Sequence, residues 1–289
     1  MAEGLPSQSP PPGSSPKSAP DVRAEQLKAW LPLYLKKTDA TISHINRLLS
    51  TPSGTDTVLC SLNYTLLALL QTVESLPHLL QRLPTISLST KTKHISSGAA
   101  PSLRALASLI SDIRIFLRLW GLLSIYAWGR SVFITDPPRD KVLRYIANAQ
   151  VAVNTGFQVL ENTAYLAQHG VWRGWSERAQ GKMWVWSCRF WAMHTALDLL
   201  KLWRVREMGL ELERKGKGRE KKGEGEMIVA TEDEKEKAAW WTSVVVNLAY
   251  APMTVHYSLE NGYLGESWVS ALGSVAGIVG LRQAWKDTA

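Results

Sequence analysis

Cysteine is scarce in this chain, which has only Cys60 and Cys188 in 289 residues. Two cysteines are too few for a disulfide framework or a zinc site, so a reducing compartment is the default expectation. The first twenty residues contain neither a basic segment nor an apolar run, and secretion is therefore not signalled. These absences exclude the small disulfide-rich and zinc-stabilised classes of protein.

Catalytic motifs are also missing. The sequence has no paired carboxylates at a useful spacing, no nucleophile with a base, and no phosphate-binding loop. His194 and Asp198 are one helical turn apart and could share a proton or supply half of a metal site. No third ligand is near them in sequence, so a satisfied polar stripe is the favoured interpretation. The sequence therefore predicts a protein that is not an enzyme and holds no metal or cofactor.

An excess of positive charge and of tryptophan is present instead. The chain has 33 Lys and Arg against 25 Asp and Glu, a formal charge of +8, and 13 tryptophans against 4 phenylalanines. A basic chain suits nucleic acid or an anionic membrane, and tryptophan favours the bilayer interface. No motif that reads nucleic acid occurs. The composition therefore favours membrane lipid over nucleic acid as the partner.

No alternating strand pattern is sustained anywhere, which predicts an all-α fold. We expect a membrane-associated helical protein that has an interfacial amphipathic helix and a C-terminal apolar helical hairpin. Its predicted parts are a disordered Pro/Ser-rich tail at 1–22, a helical region at 23–208, a charged Gly-rich linker at 209–237 and the apolar hairpin at 238–289.

The amphipathic helix is predicted at residues 103–120. At about 100° per residue, its large apolar side chains fall within one arc of roughly 140°. These side chains are Leu103, Leu106, Leu109, Ile110, Ile113, Phe116, Leu117 and Trp120. Arg104, Arg114 and Arg118 lie on the other face or its flank. The pattern is compatible with a helix that lies on a membrane and with a helix that packs in a protein core.

The predicted hairpin contains two apolar segments. Residues 240–259 include no Lys, Arg, Asp or Glu and are long enough to span a bilayer. Polar residues and Pro252 interrupt this segment, so a re-entrant or buried helix is an equal alternative. The second segment, 263–281, carries Gly273, Gly277 and Gly280, and the GxxxG spacing lets helix backbones approach closely in lipid.

Three stretches resemble the peroxin-11 family of peroxisomal membrane proteins. Residues 114–119, RIFLRL, resemble the core of that family's amphipathic helix, and 161–170, ENTAYLAQHG, resemble an acidic, aromatic and glycine segment after its next helix. Residues 247–285 are similar to the C-terminal end, especially of the gamma or C-type branch. The resemblance covers roughly 35 to 286.

The resemblance implies a self-associating protein that elongates the peroxisomal membrane before fission and proliferation, with a fission adaptor and a dynamin-related GTPase as partners. It also implies that the amphipathic helix inserts into one leaflet of the membrane. Arg104, Arg114 and Arg118 would then bind lipid headgroups. The inserting wedge would consist of Leu103, Leu106, Ile110, Ile113, Phe116, Leu117 and Trp120.

The charge distribution predicts the membrane topology. Lys and Arg are concentrated at 214–222 and recur at Arg282 and Lys286, whereas 260–263 has none. Positive segments stay in the cytosol, so we expect both termini and the linker to face it.

Two other functions compete with membrane remodelling. The first is a peroxisomal channel for small metabolites, suggested by the uncharged polar face of the helix predicted at 56–76 and by a polar stripe containing Ser187, His194, Asp198 and Lys201. The second is a soluble helical scaffold, which the mean hydropathy of -0.10 permits.

Overall fold

The computed structural model describes residues 35–81, 90–216 and 226–289, with side chains described at 35–75, 100–211 and 234–289. The tail predicted at 1–22 and residues 217–225 of the predicted linker lie outside these ranges. All regular secondary structure in the described residues is helical, which confirms the all-α prediction.

The chain divides into two compact units, residues 1–47 and 48–289. Helix α1 covers 35–49, so the described part of the first unit is helical. The helices that follow are α2 (Pro52–Gln81), α3 (Thr90–Leu117), α4 (Gly121–Arg130), α5 (Lys141–Gln168), α6 (Glu177–Gly216), α7 (Glu226–Tyr257) and α8 (Glu266–Asp287). A 3-10 turn, Arg118–Trp120, joins α3 to α4, and a π-helical turn, Ser131–Thr135, follows α4.

Several helices are longer than their sequence patterns predict. Helix α2, predicted at 56–76, continues past Pro77 to Gln81, and α3, predicted to begin at residue 103, begins at Thr90. An internal proline removes one backbone hydrogen bond. The packing of α2 against α3 and α8 outweighs that loss, because tertiary contacts supply most of the stability of a helix in a protein.

Asp140 fixes the start of α5. Its carboxylate accepts a hydrogen bond of 2.9 Å from the Leu143 N–H and lies 2.8 Å from Arg204 Nη2 on α6. The hydrogen bonds from Arg204 and from the Leu143 backbone lower the pKa of Asp140 to about 2. At its other end, α5 stops at Gln168, and Gly170 adopts φ +70°, a conformation that glycine commonly supplies after a helix. One carboxylate therefore caps α5 and ties it to α6.

Helices α2 to α8 pack side by side as a ring in the second unit. Helix α5 packs on α6, α6 on α7, α7 on α8 and α8 on α2, which in turn packs on α3; the turn after α3 and α4 itself contact α5. The interior of this ring contains polar groups. Gln150, Ser187 and Thr254 are as deeply buried as Leu70 and Met253.

In the described residues, every helix is too short or too polar to cross a lipid bilayer. Residues 240–257 of the predicted hairpin belong to α7, which begins at Glu226 in a charged segment and ends at Tyr257, and α7 packs on α8.

Candidate functional site

The apolar arc predicted on residues 103–120 lies mainly at the surface of the ring. Leu109 is 56% exposed and Trp120 is 57% exposed, whereas Ile110 is only 8% exposed and Leu103 is half-buried. The other predicted wedge side chains are exposed as well: Leu106, Ile113, Phe116 and Leu117. One edge of the arc therefore packs inward, and its centre and far edge form a surface of large apolar side chains.

This apolar surface continues beyond the predicted helix. The 3-10 turn after Leu117 advances about 120° per residue instead of about 100°, so it rotates the following helix by about 60° relative to a straight α-helix. Leu123, which is exposed, follows Phe116 by seven residues and therefore lies near it on the same side, and the rotation moves Leu123 from the edge of the apolar arc toward its middle. Tyr126 on α4 is exposed too.

The three arginines predicted to bind lipid headgroups all pair with carboxylates on other helices. Arg104 pairs with Glu74 on α2 at 3.0 Å, and both side chains are largely exposed. Arg114 pairs with Asp56 on α2, with Nε 2.9 Å from Oδ1, and its side chain is only 14% exposed. The third pair joins Arg118 to Glu161 on α5. The arginines of α3 and its 3-10 turn therefore have protein partners.

Arg118 binds Glu161 through two parallel hydrogen bonds, Nε to Oε2 at 2.9 Å and Nη2 to Oε1 at 2.7 Å. Two-point Arg–carboxylate pairs are stronger and more directional than single contacts. The next residue of α5, Asn162, donates a hydrogen bond of 3.1 Å to the Leu119 carbonyl in the 3-10 turn. One turn earlier on α5, the Gln158 side chain lies where a side chain on Gly121 would clash with it. Helix α5 therefore fixes the bend between α3 and α4.

A cavity of about 640 Å³ lies inside the ring. It brings together polar side chains that lie far apart in the sequence, Asn63 and Tyr64 of α2 and Ser187 and His194 of the α6 stripe. Its lining includes charged, polar and aromatic side chains: Asp56, Asn63, Tyr64, Arg104, Arg114, Arg118, Glu161, Trp184, Ser187, Trp191, His194, Tyr250 and Tyr257.

The stripe predicted on α6 is joined to α5 by hydrogen bonds. His194 Nδ1 lies 2.8 Å from the Asn154 amide nitrogen, and His194 Nε2 lies 3.3 Å from Asp198 Oδ2. Gln150 donates to the other oxygen of Asp198 at 2.7 Å. An amide N–H can only donate, so Nδ1 accepts and Nε2 carries the proton in the neutral ring. In the described ranges, no cluster of three His, Cys, Asp or Glu side chains could hold a metal ion.

Burial favours the neutral forms of several groups of the cavity. It lowers the pKa of His194 from its ordinary value of 6.5, although Asp198 opposes the shift. Burial also raises the pKa of Tyr64 and that of the Cys188 thiol. The charges that remain in the lining belong to arginines and carboxylates.

The predicted helix-packing glycines face α2 of the same chain. A Cβ on Gly273 would lie within van der Waals overlap of the Tyr64 ring, and one on Gly277 would lie 2.8 Å from the Ser61 backbone. Ser274, between them, donates a hydrogen bond of 3.0 Å to the Tyr64 carbonyl. Gly280 has more room, since its Cβ would lie 3.9 Å from Thr57. Gly273 and Gly277 thus allow α8 to approach α2 closely.

Further apolar stripes lie on the outside of the ring, and sequence reasoning did not identify them. Exposed side chains repeat every seven residues on three helices, a spacing that keeps them on one face. They are Trp186, Met193 and Leu200 on α6, Trp241, Leu248 and Val255 on α7, and Trp268 and Val275 on α8. The heptad spacing was present in the sequence, but the uniformly apolar composition of these helices concealed which face is external.

A basic turn between α4 and α5 was also missed. We use this name for Arg130, Arg139, Lys141 and Arg144, which are all exposed. Phe133, Ile134 and Tyr145 beside them are exposed large apolar side chains. A combination of cationic and aromatic side chains is typical of a surface that meets lipid headgroups.

Comparison with known proteins identifies the family. A family model described as Peroxisomal biogenesis factor 11 (PEX11) matches residues 80–285. A Schizosaccharomyces pombe protein named Uncharacterized protein C1F12.04c is 28% identical over 190 residues, which are 65% of this chain and 80% of the yeast protein. No solved structure matches. Since the family model covers well over half of the chain, this protein belongs to the peroxisomal biogenesis factor 11 family, a family of peroxisome biogenesis factors that is not a known enzyme family.

Proposed function

We propose that this protein elongates the peroxisomal membrane ahead of fission by inserting the apolar surface of α3 and α4 into the cytosolic leaflet. The observation that carries the proposal is the exposure of Leu106, Leu109, Phe116, Leu117 and Trp120 on one side of a helix whose arginines turn to the other side. Side chains inserted under the headgroups of one leaflet expand it relative to the other, which favours a tubular membrane.

The apolar surface is large enough to drive insertion. Complete burial of a large apolar side chain gains roughly 1.5–3 kcal/mol. Burying the exposed halves of the six exposed wedge and arc side chains of α3 and its 3-10 turn therefore gains about 6 kcal/mol, before the cost of ordering the protein at the membrane is subtracted. A lone helix of this length is marginal in water, and the free peptide must pay for folding when it binds. In the full protein the helix is already formed and held by α2 and α5, so that cost is removed.

Because the arginines of α3 and its 3-10 turn already bind carboxylates, we propose that another part of the molecule supplies most of the electrostatic attraction to lipid headgroups. A guanidinium that already binds a carboxylate gains less from an anionic headgroup than a free one. The basic turn of α4 and α5 carries cations at the surface, next to Phe133 and Ile134. The proposed mechanism therefore combines insertion by α3 with headgroup binding by the basic turn, in addition to the predicted contribution of Arg104.

Vesicle tubulation by the purified full-length protein tests this proposal. Ile113→Glu with Leu117→Glu places two carboxylates in the centre of the apolar surface, and we expect tubulation of anionic vesicles to be lost. The matched control is Ala196→Glu with Ala271→Glu, which adds the same charge at exposed positions of α6 and α8. We expect the control to tubulate like the wild type.

Undiminished tubulation by the Ile113/Leu117 variant would contradict insertion by α3. Loss of tubulation in both variants would instead indicate that the whole apolar exterior, including the heptad stripes, is embedded in lipid. Circular dichroism at 222 nm on both proteins verifies that the helices remain folded.

The same proposal includes the cytosolic orientation of the termini and linker. It also includes self-association of the protein, its action with a fission adaptor and a dynamin-related GTPase, and its membership of the gamma branch. Protease added to intact peroxisomes should cut the linker near Gly216 to Gly225, because the proposed orientation has this segment in the cytosol. Complete protection that disappears in detergent would reverse the orientation.

The cavity supports a second candidate function, passage of small metabolites through the ring. It is lined by polar side chains of both α2 and α6, and polar side chains in a membrane protein often mark a solute path. Planar-bilayer recordings test it: single-channel steps that Asp198→Leu abolishes would favour conduction. If the bilayer shows no single-channel steps while the protein still tubulates vesicles, membrane remodelling remains as the only one of the two proposed functions.

A further inference from the structure

The cavity contains an unsatisfied buried polar atom. Asn63 on α2 lines the cavity and is 6% exposed, yet its side-chain oxygen has no hydrogen-bond partner. An amide oxygen buried without a partner is costly, so such groups in native proteins usually mark a missing water or ligand. Asn63 therefore offers an acceptor to a molecule that carries an O–H or N–H group.

The charges around the cavity are already balanced. Arg114 binds Asp56, Arg118 binds Glu161 and Arg104 binds Glu74, so each lining arginine has a carboxylate partner. His194 accepts from Asn154 as a neutral ring. A ligand with a net charge would enter without a free counter-charge and would lose its hydration. The lining thus disfavours ions and favours an uncharged molecule.

The remaining walls combine aromatic surface with hydroxyl groups. Trp184, Trp191 and Phe157 line the cavity with half-buried rings. Tyr64 and Tyr257 also line it, and each contributes a phenol hydroxyl group. Aromatic rings take up apolar ligand surface, while phenols donate and accept hydrogen bonds.

We infer that this cavity is a binding site for a small uncharged molecule that has a hydroxyl or amide donor and an aromatic or aliphatic body. The donor binds the Asn63 oxygen, and the body lies against Trp184 and Trp191. The volume of about 640 Å³ lies in the range of small-molecule sites. Binding in the cavity does not depend on whether solutes cross the ring or on whether the protein bends membranes.

Equilibrium dialysis of the full-length protein in lipid nanodiscs tests the site, with binding to empty nanodiscs subtracted. The probe is para-hydroxybenzyl alcohol. Its matched controls are para-hydroxybenzoate, which adds a negative charge, and para-methylanisole, which lacks a donor. We expect the alcohol to bind about tenfold more tightly than either control, since one hydrogen bond or an uncompensated charge changes affinity by about that factor.

Two asparagines provide a matched pair of variants. Asn148 on α5 also has a buried side-chain oxygen without a partner, but it does not line the cavity. Asn63→Leu should weaken binding of the alcohol about five- to tenfold, whereas Asn148→Leu should leave it unchanged. Ser111→Leu, which narrows the cavity from α3, should weaken binding as well and decides the matter if Asn63→Leu does not fold.

Equal effects of Asn63→Leu and Asn148→Leu on binding of the alcohol would overturn the inference, and so would tighter binding of the carboxylate than of the alcohol. Absence of saturable binding above empty nanodiscs would also overturn it and would mean that the cavity holds only water. Tubulation is measured on the same preparations. Intact tubulation without binding refutes the binding site and leaves the proposed function in place.

Discussion

Arg118, in the 3-10 turn after α3, binds Glu161 of α5 through two hydrogen bonds of 2.7 and 2.9 Å. The Glu161 side chain is only 6% exposed, and that of Arg118 is 31% exposed. A carboxylate buried to this extent requires a partner, and both of its oxygens are satisfied by one guanidinium. The pair attaches the proposed membrane-inserting helix to the bundle at the point where that helix bends.

The first prediction concerns this pair. Glu161→Gln leaves the guanidinium without its counter-charge, and we expect the free energy of unfolding to fall by about 2–3 kcal/mol. Glu74→Gln breaks the exposed pair with Arg104 and should cost less than about 1 kcal/mol. Chemical denaturation of both variants in the same detergent measures the difference. Equal losses would mean that burial of Glu161 does not strengthen its pair.

The second prediction separates the basic turn from the arginines of α3. Arg139→Ala with Lys141→Ala should weaken binding to anionic vesicles about tenfold or more at low ionic strength, because each cation near the surface contributes about 1 kcal/mol. Salt should remove most of the difference. Arg104→Ala, whose side chain is already paired with Glu74, should change affinity less. Vesicle sedimentation measures all three proteins, and an equal loss for Arg104→Ala would show that its ion pair opens at the membrane.

The third prediction uses two glycines on α8. A Cβ on Gly277 would meet the Ser61 backbone at 2.8 Å, so Gly277→Ala forces α8 away from α2 and should destabilise the protein by about 1–3 kcal/mol. At Gly280 the nearest atom is 3.9 Å away, and alanine is the better helix former. Gly280→Ala should therefore be neutral or stabilise by up to about 1 kcal/mol. Thermal unfolding distinguishes the two variants. Similar melting temperatures would contradict the close approach of α8 to α2 at Gly277.

The fourth prediction concerns pH. Burial lowers the pKa of His194 below its ordinary 6.5, so the unfolded chain takes up a proton at a pH where the folded ring stays neutral. The free energy of unfolding should be constant above about pH 7 and fall as the pH decreases through 6.5 toward the lowered pKa. His194→Gln should make this decrease smaller, since glutamine does not titrate. An unchanged pH profile in the variant would assign the effect to another group.

The sequence alone was sufficient for the fold class and for the amphipathic segment. The absence of strand alternation predicts helices, and all described secondary structure is helical. The apolar spacing from Leu106 to Trp120 predicts one face, and that face is exposed for most of its width. The family resemblance was also visible in short stretches such as 114–119, and the family match confirms it at the level of the whole family.

Tertiary structure decided where the arginines point and what the polar stripes do. A helical wheel defines which side chains share a face, but not which face turns inward. That choice depends on partners distant in the chain: Asp56 is 58 residues from Arg114, and Glu161 is 43 residues from Arg118. The same holds for Asn63 and His194, which lie on α2 and α6 and line one cavity only because the helices close into a ring. Local spacing fixes the pattern of each helix, whereas the pairing of charges and the packing of glycines between helices fix its orientation, and neither can be read from one helix alone.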